Sequence, residues 1–137
     1  MKLIIVVLTA LFHVAASAEG KKLLSLLAID GGGIKGIIPA TCIDHMEEFA
    51  YDYVVNVKKY TTWTPYKDEN GDTIKRMPMS DIFDFFAGTS TGSILATALV
   101  IPEEKGSRKP KFWGAQGADL YAKNAAVIFN ASHISTA

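Results

Sequence analysis

Two apolar runs of strand length each end in a cluster of glycines, and this repeated pairing constrains the chain most. Leu23-Leu24-Ser25-Leu26-Leu27-Ala28-Ile29 leads into Asp30-Gly31-Gly32-Gly33-Ile34-Lys35-Gly36. Ile82-Phe83-Asp84-Phe85-Phe86-Ala87 leads into Gly88-Thr89-Ser90-Thr91-Gly92. Each cluster is followed by a segment of helical character. The order strand, glycine loop, helix, excursion, strand, turn, helix predicts an α/β fold with a parallel sheet. Ligands of such sheets gather at the carboxyl ends of the strands, and both clusters lie there.

The first run does not alternate cleanly, which predicts a strand covered on both faces. After the glycines, Pro39 suits a first helical turn. Ile43, Met46, Ala50, Tyr53, Val54 and Val57 then recur at helical spacing, with Asp44, Glu47, Glu48 and Asp52 assigned to the polar side. Residues 58–79 read as a surface excursion. Its Asn70-Gly71 step predicts a tight turn, with Thr61-Thr62-Trp63 and Thr73-Ile74 as hairpin flanks. Residues 91–100 predict a short buried helix, 103–111 a charged loop and 118–129 a third helix.

Met1-Lys2, the apolar stretch Leu3–Val14 and Ala16-Ser17-Ala18 have the three-part layout of a secretory signal peptide. The stretch is shorter than the about 20 residues of a membrane span. Residues 1–18 are therefore assigned to the signal and 19–137 to one domain in the secretory lumen or outside the cell. Asn130-Ala131-Ser132 is a glycosylation sequon at Asn130. The formal net charge is zero, which excludes the basic field that nucleic acid requires but not a lipid substrate. Cys42 is the single cysteine and reads as a small buried helix residue. No cluster has metal-ligand spacing, and no cofactor is implied.

The chemistry lies in the glycine clusters. Attack on an ester or amide carbonyl creates an oxyanion, and fixed backbone N–H groups stabilise it by roughly 2.7–4 kcal/mol each. Consecutive glycines let several amides approach one atom. Gly31, Gly32, Gly33 and Gly36 are the candidate oxyanion loop, with Gly32 and Gly33 the leading donors. Asp30 reads as the acceptor that holds this loop. Gly88-x-Ser90-x-Gly92 has nucleophile-elbow spacing, with Thr89 and Thr91 flanking Ser90. Gly31-x-Gly33-x-x-Gly36 also matches a dinucleotide fingerprint. That reading needs an acidic residue at the end of a second strand, whereas Asp52 falls on a helical pattern, and it leaves Ser90 unexplained. A Walker loop fails because Ile37 follows Gly36 where lysine is required. Ser90, Asp119 and His133 occur in the hydrolase order, but Asp119 falls on a helical pattern rather than after a strand. His45 reads as a solvated helix residue.

Residues 27–40 and 83–93 together resemble the patatin-like phospholipase family. The resemblance implies the parallel-sheet core of a three-layer α/β fold and lipid acyl hydrolysis by a Ser-Asp dyad. Ser90 would be the nucleophile, and a lipid or phospholipid the substrate, met at a membrane or micelle surface. The family's aspartate lies in an Asp-Gly-Gly or Asp-Gly-Ala motif downstream of the serine. No such motif follows Ser90. The expectation is a partial chain, inactive by itself on lipid esters. The competing expectation is a secreted lipid-binding or storage protein on the same scaffold.

Overall fold

The computed structural model describes residues 24–128. The elements are β1 (Leu26–Ile29), α1 (Ile37–Asp52), β2 (Phe85–Gly88), α2 (Thr91–Ala98) and α3 (Gly114–Ile128). A 3-10 turn at Gly33–Gly36 leads into α1, a π-helical turn at Tyr53–Val57 ends it, and a second 3-10 turn at Met79–Asp81 precedes β2. Residues 1–18, assigned above to a signal peptide, lie outside the described residues, as do Asn130 and His133.

β1 and β2 pair in parallel, with Leu26 opposite Phe85 and Ile29 opposite Gly88. The strand–helix–strand order demands this, since a helical crossover returns the chain to the same end of the sheet. A polar clip fixes the register at the entry end. The Ser25 N–H donates to Asp84 Oδ2 at 3.0 Å, and the Phe85 N–H donates to the Ser25 carbonyl at 3.0 Å. At the exit end the Thr89 N–H donates to the Ile29 carbonyl at 3.2 Å, carrying the pairing into the elbow. The second strand begins later than the apolar run, because Met79–Asp81 coils and Phe83 bonds back to the Met79 carbonyl.

One face of this sheet forms the core. Leu27 and Ile29 pack with Ala40 and Ile43 of α1, Leu95 and Leu99 at α2, and Tyr121 of α3. Burying an aliphatic side chain of this size contributes about 1.5–3 kcal/mol. The other face differs from the sequence expectation. Leu26 and Phe85 are half-exposed and Ala28 and Ala87 are exposed, so β1 alternates after all. No element among the described residues covers that side.

Helix α1 also departs from its expected register. Its buried stripe is Pro39, Ala40, Ile43 and Glu47 rather than the line from Ile43 to Val57. Phe49, Tyr53 and Val57 are exposed. The stripe is set by α3, which packs across α1 at Gly114, where a Cβ would lie 2.4 Å from the Asp44 nitrogen. Glu47, assigned above to the polar side, is fully buried. Cys42 is half-buried. In the excursion the hairpin closes more tightly than expected, pairing Lys67 with Thr73 and leaving Thr61–Trp63 outside it. The Asp68 carboxylate accepts the Asn70 and Asp72 N–H groups and shapes the turn.

Candidate active site

β2 ends at Gly88 and α2 begins at Thr91, leaving two residues to reverse the chain. Ser90 takes φ 49° and ψ −126°, and the Gly92 N–H donates to the Thr89 carbonyl at 2.9 Å. These are the features of a type II′ turn with Ser90 at its first central position, which glycine normally occupies. A serine there is strained, and such strain persists only where the surroundings fix it. The fixing contact is close. A Cβ on Gly92 would lie 2.2 Å from the Ile29 carbonyl oxygen, so the first turn of α2 sits directly on the end of β1. Ser93 adds a bond from its Oγ to the Ser90 carbonyl at 2.5 Å.

The glycine loop closes over this turn. A Cβ on Gly31 would fall 2.7 Å from the Ser90 Cβ and 2.2 Å from the Thr89 oxygen. Only a residue without a side chain permits that approach. Two hydroxyls from the elbow hold the loop in place: the Gly31 N–H donates to Thr89 Oγ1 at 3.0 Å, and the Gly32 N–H donates to Thr91 Oγ1 at 3.2 Å. Thr89 and Thr91 are thus ties between the two motifs. Asp30, expected to hold the loop, accepts no hydrogen bond among the described residues.

The amides divide accordingly. Those of Gly31 and Gly32 are engaged by threonine. Gly33, at φ 61°, opens the 3-10 turn, and Thr91 opens α2, so neither N–H has a partner within its own helix. Gly36 is buried beneath Thr91 and Tyr121, where an added Cβ would lie 3.1 Å from the Tyr121 ring and 3.2 Å from Thr91 Oγ1. Its place is packing between the loop, α2 and α3. Gly88 packs beneath Gly92.

Sequence reasoning missed one support. Tyr121 is buried and its hydroxyl donates to the Thr91 carbonyl at 2.7 Å, tying α3 to the start of α2. Burial raises its pKa above the ordinary tyrosine value. Nothing local indicates where a hydroxyl 30 residues from its acceptor will reach.

No side chain among the described residues hydrogen-bonds the Ser90 hydroxyl. Asp119 is exposed on α3 and pairs with Lys123 at 2.7 Å. His45 is exposed on α1, 3.8 Å from Glu48. Neither hydrogen-bonds Ser90. Glu47 carries a fully buried carboxyl, and it serves the contact between α1 and α3 instead. Its Oε2 accepts the Gly114 N–H at 3.0 Å and lies 4.0 Å from Arg76 Nη1, while Oε1 has no partner. Arg76 is drawn instead to Asp44 and Glu48. Burial pushes the Glu47 carboxyl up to about 8, against the Gly114 hydrogen bond that lowers it.

No family model matches the chain, and no solved structure matches it. Curated relatives do. The chain is 32% identical over 130 residues to Patatin-16 of Solanum tuberosum, covering 95% of this chain and 28% of that protein. It is 32% identical over 115 residues to Patatin-like protein 2 of Oryza sativa subsp. japonica, covering 84% and 23%. Over 111 residues it is 30% identical to Patatin-like protein 2 of Arabidopsis thaliana, covering 81% and 22%. The chain spans about a quarter of the length of these relatives. Over that quarter, with its parallel strands, its glycine loop and its serine turn, the chain belongs to the patatin-like family.

Proposed function

We propose that this chain carries the nucleophile and oxyanion loop of a lipid acyl hydrolase. The observation that carries the reading is the juxtaposition of Ser90, in a strained II′ turn, with Gly31 against its Cβ. The strain is unrewarded in a purely structural turn, where glycine would serve better. The hydroxyl of Ser90 attacks the acyl carbon of a phospholipid or related ester. Its proton passes to a base, and the carbonyl oxygen becomes an oxyanion. In this reading the Gly33 and Thr91 amides, which have no partner within their own helices, are the donors to the oxyanion, and Gly31 and Gly32, pinned by threonine, hold the loop. Collapse expels the alcohol and leaves an acyl-serine. Water then releases the fatty acid and restores the hydroxyl.

The base in this reading is the dyad aspartate of the family, and no Asp-Gly-Gly or Asp-Gly-Ala follows Ser90 in the sequence. Residues 19–137 alone should therefore give no sustained turnover of a fluorogenic acyl ester. Turnover that disappears in Ser90→Ala would contradict this. The free Ser90 hydroxyl favours a second reading, a lipid-binding or storage protein on the same scaffold. A fluorophosphonate separates them. The hydrolase reading expects slow adduct formation at Ser90, read by mass spectrometry and absent in Ser90→Ala. No adduct at Ser90, together with saturable binding to phospholipid vesicles, favours the binding protein. Secretion and use of Asn130 for glycosylation belong to the same proposal, tested by expression in a secreting cell with and without a glycosidase.

A further inference from the structure

We propose that the groove between the second half of α1 and residues 60–83 binds a long-chain carboxylate, with its tail among methionines and aromatic rings and its head on Arg108. The groove has a volume of about 710 Å3, within the range of small-molecule sites. Met46, Phe49, Tyr53, Trp63, Met77 and Met79 line it. Three methionines give a wall that adapts to a flexible chain. Phe49 and Tyr53 stack at 6.1 Å between ring centres, yet Phe49 is 70% exposed, so its ring is offered rather than buried. At Tyr53 the helix widens into the π-helical turn, a departure that recurs at functional sites.

The groove is separate from Ser90. α1 starts at the glycine loop and runs back along the sheet, so its second half lies toward the entry ends of the strands. Ile82 and Phe83, which also line the groove, precede β2. No residue of either glycine motif lines it.

Charge selects the ligand. Asp81 has a side chain only 3% exposed, and its carboxylate accepts Trp63 Nε1 at 2.8 Å, the Tyr66 hydroxyl at 3.0 Å and Arg108 Nη2 at 2.8 Å. Its negative charge is matched by three donors. Arg108, at 78% exposure, uses one nitrogen on Asp81 and has further N–H groups turned to solvent. A carboxylate can take two of these in parallel. A cationic head would meet the guanidinium, and the Asp81 carboxylate beside it already accepts three donors. A fatty-acid anion satisfies both the apolar wall and its one charged end, and its binding requires nothing of Ser90.

The test is calorimetric titration of the full chain with oleate below its micelle concentration. One saturable site is expected, unchanged in Ser90→Ala. Oleyl alcohol, the uncharged analogue, should bind about tenfold more weakly to the unmodified chain, a comparison independent of any variant's folding. Arg108→Gln should weaken oleate about tenfold and leave oleyl alcohol unaffected, while Arg108→Lys retains most of the affinity. Ala50→Trp, which fills the groove, should abolish binding with an unchanged circular dichroism spectrum. Equal affinity for oleate and oleyl alcohol, loss of binding in Ser90→Ala, or no saturable binding would each overturn the proposal.

Discussion

Ser90 and Glu47 are each held in a state their chemistry resists, Ser90 exposed with a left-handed backbone and Glu47 fully buried with one oxygen unpartnered. The means differ. Around Ser90 the ties that hold the glycine loop and the turn together run between two short segments of chain: Gly31 to Thr89, Gly32 to Thr91, Gly92 against Ile29. Around Glu47 the contacts come from separate elements: the Gly114 N–H at the start of α3 donates to it, and Arg76 of the excursion lies 4.0 Å away, held there by Asp44 and Glu48 of α1. A site built from backbone conformation is written in short motifs. One built from side chains across elements is written nowhere locally.

The comparison can be broken most forcefully through pH. In the unfolded chain Glu47 titrates near 4.5, and in the folded protein near 8. Between these values the native state keeps a proton that the unfolded state has lost, so stability falls as pH rises through the window. The loss is complete above pH 8, with a limiting slope of about 1.4 kcal/mol per pH unit. Urea midpoints between pH 5 and 9 should fall accordingly, and Glu47→Gln, which cannot ionise, should remove that part of the slope. Midpoints that rise with pH, or a slope untouched by Glu47→Gln, would place the carboxyl elsewhere than in the α1–α3 contact.

At the elbow, Gly92→Ala should destabilise by about 3 kcal/mol, because the new methyl meets the Ile29 carbonyl with no room to relax. An unchanged denaturation midpoint would separate α2 from the end of β1. A smaller loss, about 1–2 kcal/mol, is expected from Thr91→Val, which strands the Gly32 N–H beside a methyl group. Smallest, and opposite in sign, is Ser90→Gly. Relief of the φ 49° conformation should stabilise the fold by about 1 kcal/mol while removing the fluorophosphonate adduct. Stabilisation with loss of reactivity is what a strained nucleophile gives, and destabilisation would mean that the turn is built for serine.

The sequence disclosed what depends on local geometry. Strand, glycine loop and helix order led to the parallel pair, and G-x-S-x-G spacing led to the tight turn that Ser90 occupies. Glu47 reads as polar-side by residue type, but its spacing, four residues after Ile43, puts it on the same buried stripe. Two threonine hydroxyls perform the holding role that local sequence points to for Asp30, and a hydroxyl's acceptor role across 58 or 59 residues has no local sign. The expected cover on both sheet faces came from an apolar run in which Leu26 and Ala28 resemble Leu27 and Ile29. Composition does not reveal which face the described helices will take. The oleate groove was invisible for the same reason, being assembled from α1, the excursion and the approach to β2.

The central claim is that the glycine loop and Ser90 share one spot, and proton–proton contact measures it most directly. In an isotope-labelled sample, the Gly31 α protons should show a strong nuclear Overhauser effect to the Ser90 β protons, because an atom built on Gly31 falls 2.7 Å from the Ser90 Cβ. The Gly31 amide should likewise show contact with the Thr89 side chain. A folded, dispersed spectrum with Gly31 and Ser90 assigned and no cross-peak between them would put the loop and the serine in different places and contradict the account.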